Sequence, residues 1–267
     1  MPQLKIGPFY LGKPDADDRE AVESASRVLP FNFPHVGVTR TAPPLPEDVA
    51  AEGWTVDHNR VMVGRGRAAY GKARRLLEEW RHFDLGWACV NAPTVKPGAP
   101  VVVTALSLFC WTCNPLRISY VEECALRRGS KQQLPPWSGA PPAAAAGARL
   151  QEQWLQTLRG VLPGRPSGDQ TQPQAAAVAA ARPPRGRRYA FAHTTLGGHQ
   201  ISGEERFTVA WNAEDDTVWY EIYTLSRPGT LVASAAHPVL RAFQRKFAAD
   251  SCDAMQREMA AGAGSGK

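Results

Sequence analysis

The sequence predicts an α+β fold in which a curved antiparallel sheet grips a long C-terminal helix, with a low-complexity insert interrupting the sheet. Large apolar side chains at Phe207, Val209 and Trp211 alternate with Arg206, Thr208 and Ala210, which is typical of a strand with one buried face. A turn follows, and residues 217–225 carry large apolar side chains on both parities, as in the return strand of a hairpin. Residues 238–259 then repeat apolar side chains at helical spacing, which predicts the long amphipathic helix.

The elements before this hairpin follow from the same periodicities. Acidic residues and alanines predict a helix over 15–28. An apolar stripe predicts an amphipathic helix over 67–83 that lies on the sheet. Strand-like segments flank this second helix, and they cover residues 54–66, 83–90, 101–109 and 116–124.

The composition changes between about residues 134 and 186, where Pro, Ala, Gly and Gln dominate. Such a segment cannot bury enough apolar surface to offset the entropy of ordering, so we predict a surface insert within one sheet. The predicted organisation is an N-terminal extension (1–30), a single domain (31–260) that contains the insert, and a disordered tail (261–267).

Charge and composition argue against several classes of partner. The net charge of +6 and the pI of about 9.2 favour anionic neighbours but also serve solubility alone. The basic cluster at 182–188 lacks interleaved aromatic side chains, so we predict no specific nucleic-acid partner. The longest apolar run, 101–111, is too short for a transmembrane helix, so any contact with a membrane is expected at its surface.

The five cysteines predict free thiols in a reducing compartment, because their number is odd and no secretory signal precedes them. Cys110 and Cys113 form a Cys-x-x-Cys pair, but no second pair or histidine cluster stands at ligand spacing. Gly64 and Gly66 lack the wider pattern that phosphate-binding loops need. We therefore predict no metal site, no cofactor and a cytoplasmic location.

Seven short motifs occur in order between about residues 31 and 255, outside the insert. They are FNFPHVGVTR, VDHNRVMVGRG, FDLGW, RISYV, GEERFTV, VWYEI and SRP. As a set they resemble the uncharacterised protein family 0548, a domain-of-unknown-function family of bacteria and plants. The chain departs from that family in its insert, in Cys110 and Cys113, and in TLGGH (195–199), where a proline is expected before the Gly-His.

The resemblance implies a single domain similar to the helix-grip lipid- and polyketide-binding superfamily. The first expected function is therefore to bind, or act on, a small apolar or amphipathic molecule in a cavity between sheet and helix. Unless they simply fill the core, the expected walls are Phe207, Val209, Trp211, Trp219 and Tyr223 or the residues of opposite parity. The alternative, which a resemblance to plant relatives implies, is a membrane-associated or ion-conducting protein of the chloroplast outer envelope.

Glu205 carries the sharpest chemical hypothesis. It shares the parity of the apolar strand residues, so its carboxylate is expected to point to the apolar side while Glu204 points away. A buried carboxylate must be protonated or paired with a cation. The candidate cationic partners are Arg117, Arg227, His193 and His199. A paired Glu205 is structural, whereas a lone one beside a histidine could act as a general acid or base.

The predicted strand over 54–66 carries a polar cluster of Asp57, His58 and Arg60. This cluster is either a structural network of hydrogen bonds and ion pairs or part of a binding site. The candidate catalytic residues are Glu205 and His199. The candidate ligand-binding residues are Asp57, His58, Arg60, Arg117, His199, Glu205, Tyr220 and Arg227.

Overall fold

The sheet that the alternation predicts is the centre of the fold. The structure is a computed structural model and describes residues 5–6, 9–107, 109–126 and 186–261. The predicted insert (134–186) and tail (261–267) lie outside the described residues, except for residues 186 and 261. All described residues belong to one compact unit.

Nine strands and five α-helices are present in the described residues. The strands are β1 (Lys5–Ile6), β2 (Phe9–Tyr10), β3 (Thr55–Arg65), β4 (Ala88–Val90), β5 (Pro100–Ser107), β6 (Cys110–Leu126), β7 (Gly186–Thr195), β8 (Ile201–Asn212) and β9 (Thr217–Pro228). The helices are α1 (Ala16–Ser26), α2 (Glu47–Ala51), α3 (Gly66–Glu78), α4 (Leu231–Ala235) and α5 (His237–Ala261). Short 3₁₀ helices span Val38–Arg40 and Arg81–Phe83.

The strands form one antiparallel sheet that curls into a half-barrel, in the order β1-β2-β6-β7-β8-β9-β3. β5 pairs with the first part of β6, and β4 pairs with β5. Short turns at 196–200 and 213–216 connect β7 to β8 and β8 to β9, which makes these strands antiparallel neighbours. The predicted hairpin is thus present as β8 and β9.

The concave face of the sheet carries the main hydrophobic core. Phe191, Phe207 and Ile222 lie side by side on β7, β8 and β9 and are buried. Leu77 of α3 and Met255 of α5 belong to the same buried cluster. The alternation along β8 therefore reflects burial of one parity against two helices.

The convex face of the sheet is covered by residues 16–54. Helix α1 packs against β5 and β6. Further along the sheet, Phe33 and Trp54 pack with Leu225 of β9 in a second buried cluster. Strands β7 to β9 are consequently buried on both faces, so their second parity is also shielded from water.

A network of buried charges joins this covering layer to the sheet. The guanidinium of Arg206 donates to the Glu221 carboxylate at 2.6 Å. It also donates to the carbonyl oxygens of Thr39 and Ala42. Both members of the ion pair are buried, so the backbone oxygens of Thr39 and Ala42 supply acceptors to an arginine that water does not reach.

Glu204 of β8 also bonds to the covering layer on the convex face. Its carboxylate accepts hydrogen bonds from the backbone N–H groups of Gly37 and Thr39. It also accepts from the hydroxyls of Thr39, Ser119 and Thr194. These bonds hold the 3₁₀ helix at Val38–Arg40 on the convex face.

The predicted α+β class with a C-terminal helix on a curved sheet is confirmed. Helix α5 packs against β3, β9 and α3, as the predicted arrangement of a sheet gripping a helix requires. Residues 1–30, which we expected to form an extension, contribute β2, which pairs with β6, and α1, which packs on β5 and β6.

His82 is a fully buried histidine in the core. Its ring stacks on Trp80 with a centroid distance of 5.6 Å and lies 4.5 Å from the Phe207 ring centroid. Neither ring nitrogen has a hydrogen-bond partner within the part of the chain that the structure describes. Burial, helped by the charge of nearby His193, holds the pKa of His82 well below its usual value, so the ring is neutral.

We expect His82→Phe to raise the free energy of unfolding by about 1 kcal/mol at neutral pH, because a phenyl ring leaves no nitrogen unsatisfied. The gain should grow by about 1.4 kcal/mol per pH unit below about pH 6.5, where unfolded His82 takes up a proton that folded His82 excludes. Urea unfolding at several pH values measures both effects. His237→Phe, at a partly exposed position, is the control and should show neither effect; a His82→Phe protein that is less stable than the parent throughout would contradict this account.

Candidate functional site

A cavity of about 440 Å³ lies between the concave face of the sheet and helix α5. Strands β5 to β9 form one side, and residues 233–248 of α4 and α5 form the other. Most of the wall is apolar. The larger apolar side chains in it include Phe83, Trp87, Leu116, Leu240, Phe243 and Phe247.

The cavity exists because the strands carry small side chains opposite residues 233–248 of α4 and α5. Thr195, Gly203 and Ser226 face it, whereas the other end of the same strands carries the aromatic core. Position 203 requires glycine, since a Cβ there would lie 2.4 Å from the carbonyl oxygen of Leu225. The helix therefore spans a space that the strand side chains do not fill.

Glu205 and His193 form a polar group in this wall. They face each other in the register of β7 and β8, and Glu205 Oε2 lies 3.1 Å from His193 Nε2. Glu205 Oε1 accepts a hydrogen bond of 2.9 Å from the Thr224 hydroxyl. The His193 side chain is 3% exposed, whereas that of Glu205 is 20% exposed. Two partners thus fix a carboxylate that still borders the cavity.

His199 borders the cavity from the turn between β7 and β8. Its Nδ1 accepts a hydrogen bond of 2.9 Å from the backbone N–H of Ile201, so the neutral ring carries its proton on Nε2. Burial and the charge of nearby His193 lower the pKa of His199 to about 4. His199 is therefore a neutral hydrogen-bond donor at physiological pH.

The charges around the cavity are unevenly paired. Asp57 lines it, but Arg241 of α5 donates to both of its carboxylate oxygens, at 2.5 and 2.6 Å. Glu205 is held by a histidine and a threonine instead. Among the described residues that line the cavity there is no lysine and no arginine.

Comparison with known proteins assigns the chain to a family. The sequence matches the family described as Domain of unknown function (DUF1990) over residues 32–254. The chain belongs to this family. A UPF0548 protein of Arabidopsis thaliana is 24% identical over 252 residues, which cover 93% of this chain and 96% of the relative. A UPF0548 protein of Dictyostelium discoideum is 24% identical over 217 residues, covering 78% of this chain and 74% of the relative.

A third relative matches a shorter part of the chain. A UPF0548 protein of Deinococcus radiodurans is 39% identical over 61 residues, which cover 23% of this chain and 30% of the relative. The resemblance of the seven motifs to protein family 0548 is therefore confirmed. These relatives support membership of an uncharacterised family, and their names state no substrate or ligand.

Within this DUF1990 domain, the structure brings three of the predicted binding residues to the cavity. They are Asp57, His199 and Glu205. The parity of β8 points Glu205 to the concave side, as expected, and of the four candidate partners it is His193 that lies within hydrogen-bonding distance. On β3, Asp57 lies on the concave face of the sheet, whereas His58 and Arg60 lie on the convex face.

His58 and Arg60 lie on the convex face, away from the cavity. His58 Nε2 lies 3.1 Å from Glu221, and Arg60 lies over the Trp219 ring at 4.0 Å. Burial alone would raise the pKa of Glu221, but the hydrogen bond from His58 and the charge of Arg206 bring it down to about 2. These contacts place both residues in the structural network that was one of the two alternatives.

The remaining three predicted residues have other partners in the described chain. Arg117 donates to the carbonyl oxygens at the end of α1, including that of Ser26. The Tyr220 hydroxyl lies 2.9 Å from the Ser251 hydroxyl in the core. Arg227 lies over the Trp54 ring at 4.0 Å. None of the three lines the cavity.

The five aromatic and aliphatic residues that we expected to line the DUF1990 cavity, unless they filled the core, do not line it. Phe207 and Val209 fill the core, because α3 and the 3₁₀ helix after it cover that part of the concave face. Trp211 packs at the margin of the same core. Trp219 and Tyr223 lie on the convex face with the arginines of that layer. The cavity lies further along the strands, where side chains are smaller.

Sequence reasoning missed Thr224 and Arg241 and gave His193 only as one of four partners for Glu205. The signal for His193 is the turn at Gly197 and Gly198, since a tight connection between β7 and β8 sets which residues face each other. No comparable local signal joins Arg241 to β3.

The other chemical motif, Cys110 and Cys113, lies in β6, and none of the five cysteines forms a disulfide. Within residues 5–126 and 186–261, as far as they are described, no group of three or more His, Cys, Asp or Glu is arranged to hold a metal ion. Over the same residues, none of the helices combines the length and apolar character that crossing a bilayer would require.

Proposed function

We propose that this DUF1990 domain binds a small apolar or amphipathic molecule between its sheet and its C-terminal helix. The observation that carries the proposal is the cavity of about 440 Å³, whose apolar walls include the polar groups of His193, His199 and Glu205. Sites for small molecules commonly occupy about 300–1,000 Å³ and combine apolar walls with a few polar groups.

The apolar walls supply the driving force for binding. Leu240, Phe243 and Phe247 of α5 face the cavity opposite the strands. An apolar molecule that covers such side chains removes their surface from water, at roughly 25 cal/mol per Å² of apolar area. The polar groups then determine which end of the molecule points to β7 and β8.

The rim of the cavity supports entry from solvent. Phe109, between β5 and β6, lines the cavity and is 88% exposed. Val239, near the start of α5, also lines it and is 38% exposed. An entering molecule therefore meets apolar side chains before it is buried.

We assign Glu205 and His199 to ligand binding, because fixed partners hold both groups at the wall. A cytoplasmic location is part of the proposal, and the five cysteines without a disulfide favour it. The membrane-associated or ion-conducting alternative has no support in the described residues or in the family assignment.

The test is to fill the cavity. We expect Ala105→Trp to weaken binding of the neutral fluorescent probe N-phenylnaphthylamine at least about tenfold, because Ala105 of β5 faces the cavity. The control is Leu106→Trp, whose side chain lies on the opposite face of the same strand. Fluorescence titration measures both, and the control should bind within about twofold of the parent. A folded parent that does not bind the probe, or equal binding by both variants, would contradict the proposal.

A further inference from the structure

The hydrogen-bonding groups at the wall restrict the kind of head group that the cavity accepts. Glu205 Oε1 and Oε2 each have one partner, Thr224 and His193. A carboxylate oxygen accepts up to two hydrogen bonds, and the Glu205 side chain keeps 20% exposure. Glu205 can therefore accept a hydrogen bond from a ligand.

His199 offers the complementary group. Because its Nδ1 accepts from the backbone of Ile201, its Nε2 carries a hydrogen. With Nδ1 occupied by the backbone of Ile201, Nε2 is the ring nitrogen that can donate to a molecule in the cavity that His199 lines. The wall thus presents one acceptor, Glu205, and one donor, His199.

Charge restricts the head group further. A carboxylate or phosphate would meet the carboxylate of Glu205, and no lysine or arginine stands in the described wall to compensate. Asp57, another carboxylate that lines the cavity, is already paired with Arg241. An ammonium group would satisfy Glu205 but cannot accept from His199. A hydroxyl group both donates and accepts.

We infer that the ligand is an apolar molecule with an uncharged hydroxyl head group, which donates to Glu205 and accepts from His199, and that carboxylates and phosphates are disfavoured. The inference rests on the proposed function and names its ligand class. It assigns Glu205 a specificity-determining role, while the apolar walls hold the rest of the molecule whatever its head group.

The experiment compares molecules with the same chain and different head groups. Decanol, decylamine and decanoate displace N-phenylnaphthylamine from the full chain at about pH 8, where decanoate is ionised. We expect decanol to bind at least about tenfold more tightly than decanoate and more tightly than decylamine. In Glu205→Gln the preference for decanol over decanoate should fall to within about threefold, because the negative charge is gone.

The outcomes separate this inference from the proposed function. If the parent binds decanol and decanoate equally, or binds decylamine most tightly, the hydroxyl assignment is overturned while the cavity still binds ligands. If the probe binds but none of the three compounds displaces it, the hydroxyl assignment is overturned as well. If the probe itself does not bind, the proposed function fails too. The relative affinities of the parent for decanol, decylamine and decanoate test the hydroxyl assignment even if Glu205→Gln does not fold.

Discussion

Replacing Arg206 by Met is expected to lower the free energy of unfolding by about 3–5 kcal/mol, because one partner of a buried ion pair would remain without the other. The side chain is 1% exposed and bonds to Glu221 and to two backbone carbonyls of the covering loop. Its loss leaves a buried carboxylate and two buried carbonyl oxygens without this donor. Denaturation in guanidinium chloride measures the change.

Arg27→Met is the matched control for that experiment. Arg27 pairs with Glu23 one turn earlier in α1, and its side chain is 61% exposed. An exposed pair at this spacing contributes about 0.3–0.5 kcal/mol, so the control should unfold almost as the parent does. Equal losses of stability in the two variants would show that the buried network does not hold the convex layer.

Glu204→Gln is expected to cost about 3 kcal/mol of unfolding free energy, because an amide replaces a carboxylate that accepts from five donors. The new NH₂ group would face N–H and O–H donors and could not accept from them. Chemical denaturation monitored by tryptophan fluorescence gives the value.

The neighbouring substitution Glu205→Gln serves as its control. Glu205 lies on the opposite face, has two partners and borders the cavity. We expect this change to cost about 1 kcal/mol or less. If Glu205→Gln destabilised the fold as strongly as Glu204→Gln, the division into a structural convex face and a binding concave face would be wrong.

Local sequence patterns predicted the elements of this fold because the spacing of apolar residues reflects which face of a strand or helix is buried. The alternation around Phe207 records which parity of β8 meets the core, and it also predicted the direction of the Glu205 carboxylate. The apolar repeat after Pro238 recorded the face of α5 that packs on the sheet.

The same alternation could not show that the second face of the sheet is also covered. Glu204 and Arg206 have the polar character expected of a solvated face, yet both are buried beneath the loop that contains Thr39. A charged residue in a strand is compatible with either environment, and only the tertiary position of its partners distinguishes them.

Long-range contacts account for the rest of what the sequence did not reveal. Asp57 and Arg241 pair across 184 positions, so no local pattern links them. The place of the cavity depends on where α3 stops covering the concave face, which is set by how the sheet curls rather than by any one motif. For this reason the sequence did not show which residues line the cavity.

A crystal structure of the full chain grown with decanol tests the central claim most directly. The account predicts decanol in the cavity, with its chain against Leu240 and Phe243 and its hydroxyl within hydrogen-bonding distance of Glu205 and His199. A cavity that is empty or closed under conditions in which decanol saturates the protein, with the alcohol bound elsewhere, would contradict it.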